Sequence, residues 1–435
     1  MTDLDEHDAP VSVTLPETGT GARAKHRAER KHKRRVQSAW FMAAVAVLAA
    51  AIPVLAYIGF RKVFDTTQGR KVDAQNDPTK PNFEANVVPT PVMLLAQTDG
   101  NSVTSLTMMS LAGGDAGGSV VFIPIDTETN ALVDPTTTTR PGAEPKTTTL
   151  AEGFEAKGEG DLGQLAANVV GLSFDETVLL NNDALAQFVT PAAPLTINNP
   201  DSLVEVDVKG RSTVVYPAGR LTLQAEDVPR YLALRNPGET DVARLARQQV
   251  VWEAWIDAVN SSSNPNVVPG ETTAGLGRYL RGLAKGNVQF ATLPGSPRTD
   301  SSGNETFEPD ADRVATLMAQ SVQLPTPANP GDRVRVRLLS GVGPVDATAV
   351  VGARLVPPNA QVIIVGNADR FDYTTTKIVY YDDAFAVAAN EAQRQLGVGE
   401  VTKSATPDDT EDVTIIIGQD LVTKNDLTII RGSGG

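Results

Sequence analysis

The 435-residue chain has no cysteine, and its three histidines, His7, His26 and His32, all fall within the first 32 residues. Without cysteine there is no thiol nucleophile, no disulfide and no thiolate-held metal. Beyond residue 32 there is no imidazole either, which excludes a Ser–His–Asp triad and a histidine-ligated zinc. Chemistry in the body of the chain is left to carboxylates, hydroxyls, arginine, lysine and a hard cation such as magnesium, which takes oxygen ligands. Basic residues are also outnumbered, 38 Lys and Arg against 52 Asp and Glu, for a net charge of −14. Phosphate-backbone binding needs a clustered basic surface, so no nucleic-acid partner is expected. What remains is an ordinary globular composition, 41% hydrophobic with 36 Gly and 29 Pro. The length suggests about three domains.

One segment lacks charge altogether. Residues 39–60 read AWFMAAVAVLAAAIPVLAYIGF, which as a helix rising about 1.5 Å per residue spans roughly 33 Å, enough for a bilayer core. Trp40 and Tyr57 sit near its ends, where aromatic belts form. Eight Lys and Arg lie between Arg23 and Arg35, against five in residues 61–80. The positive-inside bias therefore predicts a cytoplasmic N-terminus, one transmembrane helix, and roughly 370 residues outside the cell membrane. No A-x-A cleavage site follows the apolar run, so it reads as an anchor rather than a cleaved signal. The basic tail needs no role beyond orientation and attraction to membrane lipid.

The remainder divides by composition. Residues 1–38 form the cytoplasmic tail and 61–90, with Pro78, Pro81 and Pro89, a polar stalk. Residues 91–322 alternate strand-like runs (PVMLLAQ, SLTMMSL, SVVFIPI, ETVLLN) with helix-like ones (LGQLAANVVGL, DALAQFV), and 130–150 form a Thr/Pro-rich loop. From Thr240 to Val259 the pattern is helical, with Val242, Leu245, Ala246, Trp252, Ile256 and Val259 on one broad apolar face. A Pro/Gly linker at 323–331 precedes a second unit, 332–420, in which RVRVRLL, QVIIVG, KIVYY and VTIIIG read as strands. Within it, ATAVVGARL and AFAVAANEAQRQLG read as helices. Residues 421–435 are expected to be a loose tail. The fold class is a mixed-sheet α/β domain plus a small C-terminal α/β domain, preceded by one transmembrane helix.

The order of several segments resembles the LytR–CpsA–Psr family of cell-envelope proteins. MLLAQTDG, TSLTMMSL and VVFIPIDT resemble its opening, YLALRNPGETDVARLARQQVVWEAW its arginine-rich helix and GNVQFATLPGSP its closing stretch. LLSGVG, ATAVVGARL and DVTIIIGQDL resemble the LytR C-terminal domain. The resemblance implies work in wall-glycopolymer attachment. A polyprenyl-pyrophosphate glycan would be held through arginines and magnesium, with its lipid in an apolar pocket, and passed to an acceptor in the wall. Arginine forks match phosphate oxygens bidentately. Partners implied are membrane lipid, the lipid-linked glycan or peptidoglycan, and a family paralogue or another envelope protein.

Carried over residue by residue, the resemblance implies that Arg235, Arg244, Arg247 and Gln248 bind pyrophosphate. Asp99 is the candidate magnesium ligand, with turn capping as its other reading, and Asp126 and Asp241 are second-tier site residues. The sequence also departs from the family. Its usual Arg-Ser-Asp-Thr run is Thr104-Ser105-Leu106-Thr107 here, its Ile-Pro-Arg-Asp-Thr run has Ile125 for arginine, and Ala233 replaces a paired arginine. Leucine cannot ligate magnesium and isoleucine cannot neutralise a phosphate, so the transferase site reads as degenerate. Spacing alone favours a solvated helix face for Arg244, Arg247 and Gln248, with Asp241 paired to Arg244, over an anion-facing stripe, and the resemblance brings the two readings level. A binder of lipid-linked glycan with little catalysis, an active magnesium-dependent transferase, and a non-catalytic envelope scaffold all remain open at this point.

Overall fold

The computed structural model describes residues 76–129, 148–157, 159–300, 303–329, 331, 333–343 and 360–425. The predicted cytoplasmic tail and anchor, residues 130–147 of the Thr/Pro-rich loop and the predicted helix ATAVVGARL lie outside these, whereas residues 148–150, expected in that loop, form the short strand Thr148–Thr149 and the start of helix Leu150–Lys157. Among the described residues no helix is long and apolar enough to cross a membrane.

The first domain is built on a five-stranded sheet. Its order is Val288–Thr292, Gly118–Ile123, Ser102–Leu111, Val92–Asp99 and Glu176–Asn181. The outer pairs are parallel and the inner two antiparallel, which is the expected mixed sheet. Successive side chains of a strand point to opposite faces, and the sheet sorts its residues accordingly. Met93, Leu95, Met109, Val120 and Phe122 enter one core with Trp252, Trp255 and Tyr279. Leu94, Ala96, Leu106, Met108, Val121 and Ile123 enter the other with Leu162, Leu165 and Val314. The run VMLLA is nearly all apolar because its strand is covered on both faces. Helices Asn182–Val189, Asp227–Ala233, Asp241–Ser261 and Gly275–Leu283 cover the first face, and Leu150–Lys157, Glu159–Val170 and Ala311–Ser321 the second.

The second domain has a six-stranded sheet ordered Glu84–Asn86, Ala360–Asn367, Val334–Ser340, Val413–Ile417, Lys377–Tyr380 and Glu400–Lys403. Helix Ala386–Leu396 crosses between Lys377–Tyr380 and Glu400–Lys403, ending at Gly397 with φ of 66°. Two expectations for its margins change. The proline-rich segment expected to be a stalk supplies an edge strand, Glu84–Asn86, antiparallel to Ala360–Asn367. It is fixed by hydrogen bonds from Asn367 Nδ2 to the carbonyls of Pro78 and Lys80, 2.8 and 2.7 Å, and by the Arg337–Glu84 ion pair. The expected loose tail begins instead inside helix Gln419–Asn425, where Leu421 and Val422 are buried in the domain core.

Candidate functional site

The long helix Asp241–Ser261 starts on an N-cap in which Thr240 Oγ1 accepts from Ala243 N. Its first two turns differ from the rest. The later turns bury Val251, Trp252, Trp255, Ile256 and Val259, whereas the first two bury Asp241, Arg244, Arg247 and Gln248. Ala246, expected on the apolar face, is exposed. The solvated-face reading of the arginine stripe is therefore wrong: Arg244 is 1% exposed and Arg247 3%.

These polar groups close the end of the neighbouring helix Asp227–Ala233. Helices leave their last carbonyls without intrahelical partners, and arginine side chains can satisfy them. Arg244 Nη1 and Gln248 Nε2 both donate to Leu232 O, at 2.9 and 2.8 Å, and Arg247 Nη2 donates to Leu234 O at 3.0 Å. Arg244 Nη1 also reaches Thr104 O at 2.5 Å on the sheet, while Ser105 Oγ donates to Gln248 Oε1 at 3.2 Å. Gln248 is thus satisfied from both sides. Arg247 is paired with Glu239, though its Nε has no partner.

Asp241 is the hub. Its Oδ1 accepts from Arg244 Nε and Nη2 at 2.9 and 2.5 Å, and it pairs with Arg235 Nη2 at 2.9 Å. Its Oδ2 accepts the Ile125 N–H at 2.8 Å. Arg235 bridges onward to Asp126 Oδ2, with Nη1 and Nη2 each 3.3 Å away. Of the three arginines only Arg235 keeps substantial exposure, 29% of its side chain. Burial pushes the Asp126 carboxyl up from its ordinary value, Arg235 pulls it down and Asp241 adds to the rise. Glu305, which the sequence reading missed, faces the same cluster. Desolvation and then Asp126 push its carboxyl up, against the pull of Arg235. No local motif marks Glu305; only the hairpin Gly295–Thr299 with Glu305–Pro309, tied to Asp126 by Phe307 N to Asp126 O at 2.9 Å, brings it here.

The structure therefore joins Arg235, Arg244, Arg247, Gln248, Asp126 and Asp241 at one end of the sheet. Asp99 stands apart in role: it is exposed at the hairpin end, in register with Ser102. The carboxylates present do not fit a divalent cation. Both Asp241 oxygens and Asp126 Oδ2 are already bonded to guanidinium or backbone N–H, whereas magnesium demands near-octahedral oxygen donors. Among the described residues no group of three or more acidic or histidine side chains is placed to hold a metal. The guanidinium charge of the site is also offset within the chain. Four carboxylates, Asp126, Glu239, Asp241 and Glu305, stand against three guanidiniums, Arg235, Arg244 and Arg247.

Comparison with known proteins places these residues in a family. Residues 105–322 match the model of the LytR_cpsA_psr family, and residues 333–421 that of the LytR cell envelope-related transcriptional attenuator. Among solved structures, B. subtilis TagV is similar at 17% identity and a TM-score of 0.42, over 52% of this chain and 93% of that one. B. subtilis TagT is similar at 18% identity and 0.39, over 53% and 88%. TagT bound to LIIa-WTA is similar at 17% identity and 0.40, over 58% and 93%. No curated protein matches the chain.

Proposed function

Because the chain belongs to the LytR–CpsA–Psr family, we propose that it serves cell-wall glycopolymer attachment as a membrane-anchored, extracytoplasmic protein that binds polyprenyl-pyrophosphate-linked glycan or wall polymer and catalyses little transfer itself. One observation carries the low-catalysis part: every guanidinium of the site is already engaged by a carboxylate of the same chain. Phosphoryl-type transfer depends on preorganised cationic donors aimed at developing charge. Here Arg244 and Arg247 spend their donors on Asp241, Glu239 and helix-end carbonyls, and Ile125 offers only its backbone N–H, to Asp241. Ligand contact then falls to Arg235, the exposed member, while Arg244, Arg247 and Gln248 hold the floor beneath it.

The test is a transfer assay with a lipid-pyrophosphate glycan, run beside an active member of the family. The expected result is saturable binding without transfer above a no-protein control, and robust transfer would overturn the reading. That outcome would favour an active transferase, for which the raised pKa of Asp126 beside Arg235 is the supporting observation. Absence of both binding and transfer would favour a scaffold working with a paralogue or another envelope protein. Membrane orientation is tested by reporters fused after residue 90, expected to be active outside the cell, and before residue 20, expected to be inactive there.

A further inference from the structure

We propose that the hairpin formed by strands Leu203–Val206 and Ser212–Tyr216 is a membrane-contacting element, whose valine stripe and lysine-bearing turn rest on a phospholipid bilayer. The inference rests on the membrane-anchored reading above and adds the surface by which the folded body meets the lipid. Among the described residues five large apolar side chains are exposed, and three of them stand on this one hairpin: Val206 at 45%, Val208 at 103% and Val214 at 56%. In the antiparallel register Val204 is opposite Val214 and Val206 opposite Ser212, which puts these valines on one face. Glu205 and Thr213 are opposed on the other face, where Glu205 Oε1 accepts from Arg230 Nη2 at 2.6 Å. The turn itself is tightly tied. Asp207 Oδ1 accepts the Lys209 and Arg211 N–H groups at 2.8 and 2.9 Å, and its Oδ2 accepts from Arg211 Nε at 2.7 Å. The one carboxylate of the tip is thus spent inside the turn, and Val208 and Lys209 are what the tip presents.

A protein is the poorer occupant of this stripe. A specific protein interface buries about 800 Å² on each side, more than three valines and a turn supply. A bilayer needs no matching surface, and an anchored body meets it at high effective concentration, so a small contact suffices. The net charge of −14 gives the body no general pull toward anionic lipid, which leaves a local apolar contact with a cation beside it. A lysine there lays its stem on the apolar surface and carries its ammonium to the headgroups. Residues 61–75 separate the predicted anchor from the first described residue and can span at most about 50 Å, enough for the body to lie against the bilayer. The base of the hairpin is bound beside the candidate site: Val204 N donates to Asn236 Oδ1 at 2.9 Å, and Asn236 Nδ2 to Ser202 O at 3.2 Å. From Val204 to Val208 the hairpin extends roughly 13 Å, at about 3.3 Å per residue. A tip resting in the headgroup layer therefore holds Arg235, the residue before Asn236, close above the level of a lipid-linked pyrophosphate.

The chain has no cysteine, so a single introduced thiol reports one position. Full-length Val208→Cys and Val214→Cys carry an environment-sensitive NBD probe, with Val387→Cys, 79% exposed in the C-terminal domain, as the reference. Each is reconstituted at one copy per nanodisc of phosphatidylglycerol and phosphatidylethanolamine, with no glycan present. The probes at 208 and 214 are expected to emit to the blue of the probe at 387 and to be quenched by doxyl-labelled lipid. Val206→Ser with Lys209→Gln, placed behind the probe at 208, should reduce that quenching. Emission at 208 and 214 matching that at 387 would overturn the proposal. So would a blue shift without doxyl quenching, which assigns the stripe to another part of this chain. A shift seen in vesicles holding several copies but absent from single-copy discs assigns it to a second copy and overturns the proposal too. Incorporation into the discs reports the anchor by itself. An incorporated chain with water-exposed probes refutes the hairpin contact and leaves the anchoring standing, whereas a chain that does not incorporate refutes both.

Discussion

Replacing Arg244 with alanine tests whether the buried arginine stripe is a ligand contact or a strut. The guanidinium is 1% exposed and makes four bonds, two to Asp241 Oδ1 and one each to Thr104 O and Leu232 O. Arg244→Ala removes all four and leaves Asp241 in a dry place with only Arg235 and the Ile125 N–H as partners. Breaking a buried ion pair by removing one partner costs about 3–5 kcal/mol. For a domain of this size that lowers Tm by roughly 10 °C. The double variant Asp241→Asn with Arg244→Met removes both charges at similar volume, so it should cost less than the sum of the singles by about 2 kcal/mol. Urea and thermal melts of Asp241→Asn, Arg244→Met and the double variant, followed by circular dichroism, give the cycle directly. A ligand contact would instead leave stability nearly untouched and weaken glycan affinity alone. An Arg244→Ala protein melting within about 1–2 °C of the parent would therefore refute the strut argument.

Three further outcomes follow from the geometry. A Cβ on Gly366 would lie 2.1 Å from Phe83 O and 3.0 Å from Glu84 Cα, so Gly366→Val should detach the Glu84–Asn86 strand and speed proteolysis within residues 76–90; unchanged cleavage would show that the strand is not held there. Asp126 and Glu305 are both raised from ordinary values of 3.8 and 4.5, so the folded chain binds their protons more tightly than the unfolded one, and they cost stability at pH 7.5. That cost should fade as pH drops through their folded-state pKa values toward the ordinary ones. Relative to an Asp126→Asn, Glu305→Gln variant, the parent should gain urea resistance as pH falls from 7.5 toward the ordinary carboxylate values, and the opposite slope would contradict the assigned directions. Trp255, 1% exposed and packed against Phe188 and Trp252 with ring centroids 6.2 and 5.2 Å away, should cost about 3–5 kcal/mol as alanine, read from the urea midpoint.

The sheet was legible in the sequence because a strand buried on both faces has few ways to disguise itself. VMLLA and SVVFI carry apolar side chains at both parities, and both cores receive them. The long helix was legible for the same reason from Trp252 to Val259. Its first turns were not, because a pattern that counts only apolar residues assigns Arg244 and Arg247 to water. What buries them is a separate helix end, at Leu232 and Leu234, whose carbonyls need donors. The Arg235–Asp126 bridge joins residues 109 positions apart, a pairing that no spacing rule reports. The Glu84–Asn86 strand is three residues long in a proline-rich stretch, too short for any alternation to register. Its partner Gly366 is intelligible only once the strand lies against it.

That short strand changes how the two domains relate. The chain enters the C-terminal sheet at Glu84–Asn86, leaves to build the family domain, and returns at Val334–Ser340. The family domain is thus an insertion in the C-terminal one. Insertions are tolerated where the two ends of the inserted domain lie close together, and here they touch: Thr90 N donates to Leu324 O at 2.9 Å and Leu324 N to Thr90 Oγ1 at 3.1 Å. The arrangement also covers part of the edge of Ala360–Asn367, an apolar strand whose open backbone would invite pairing with another chain. The junction meets the sheet at Val92, whereas the ion-pair site lies toward the other end of the same strand, where Thr104 and Ile125 are level with Gln97 and Thr98. At about 3.3 Å per residue, Val92 to Thr98 separates the two by roughly 20 Å. The C-terminal domain therefore contributes no described side chain to the site, and a ligand touching both must be long.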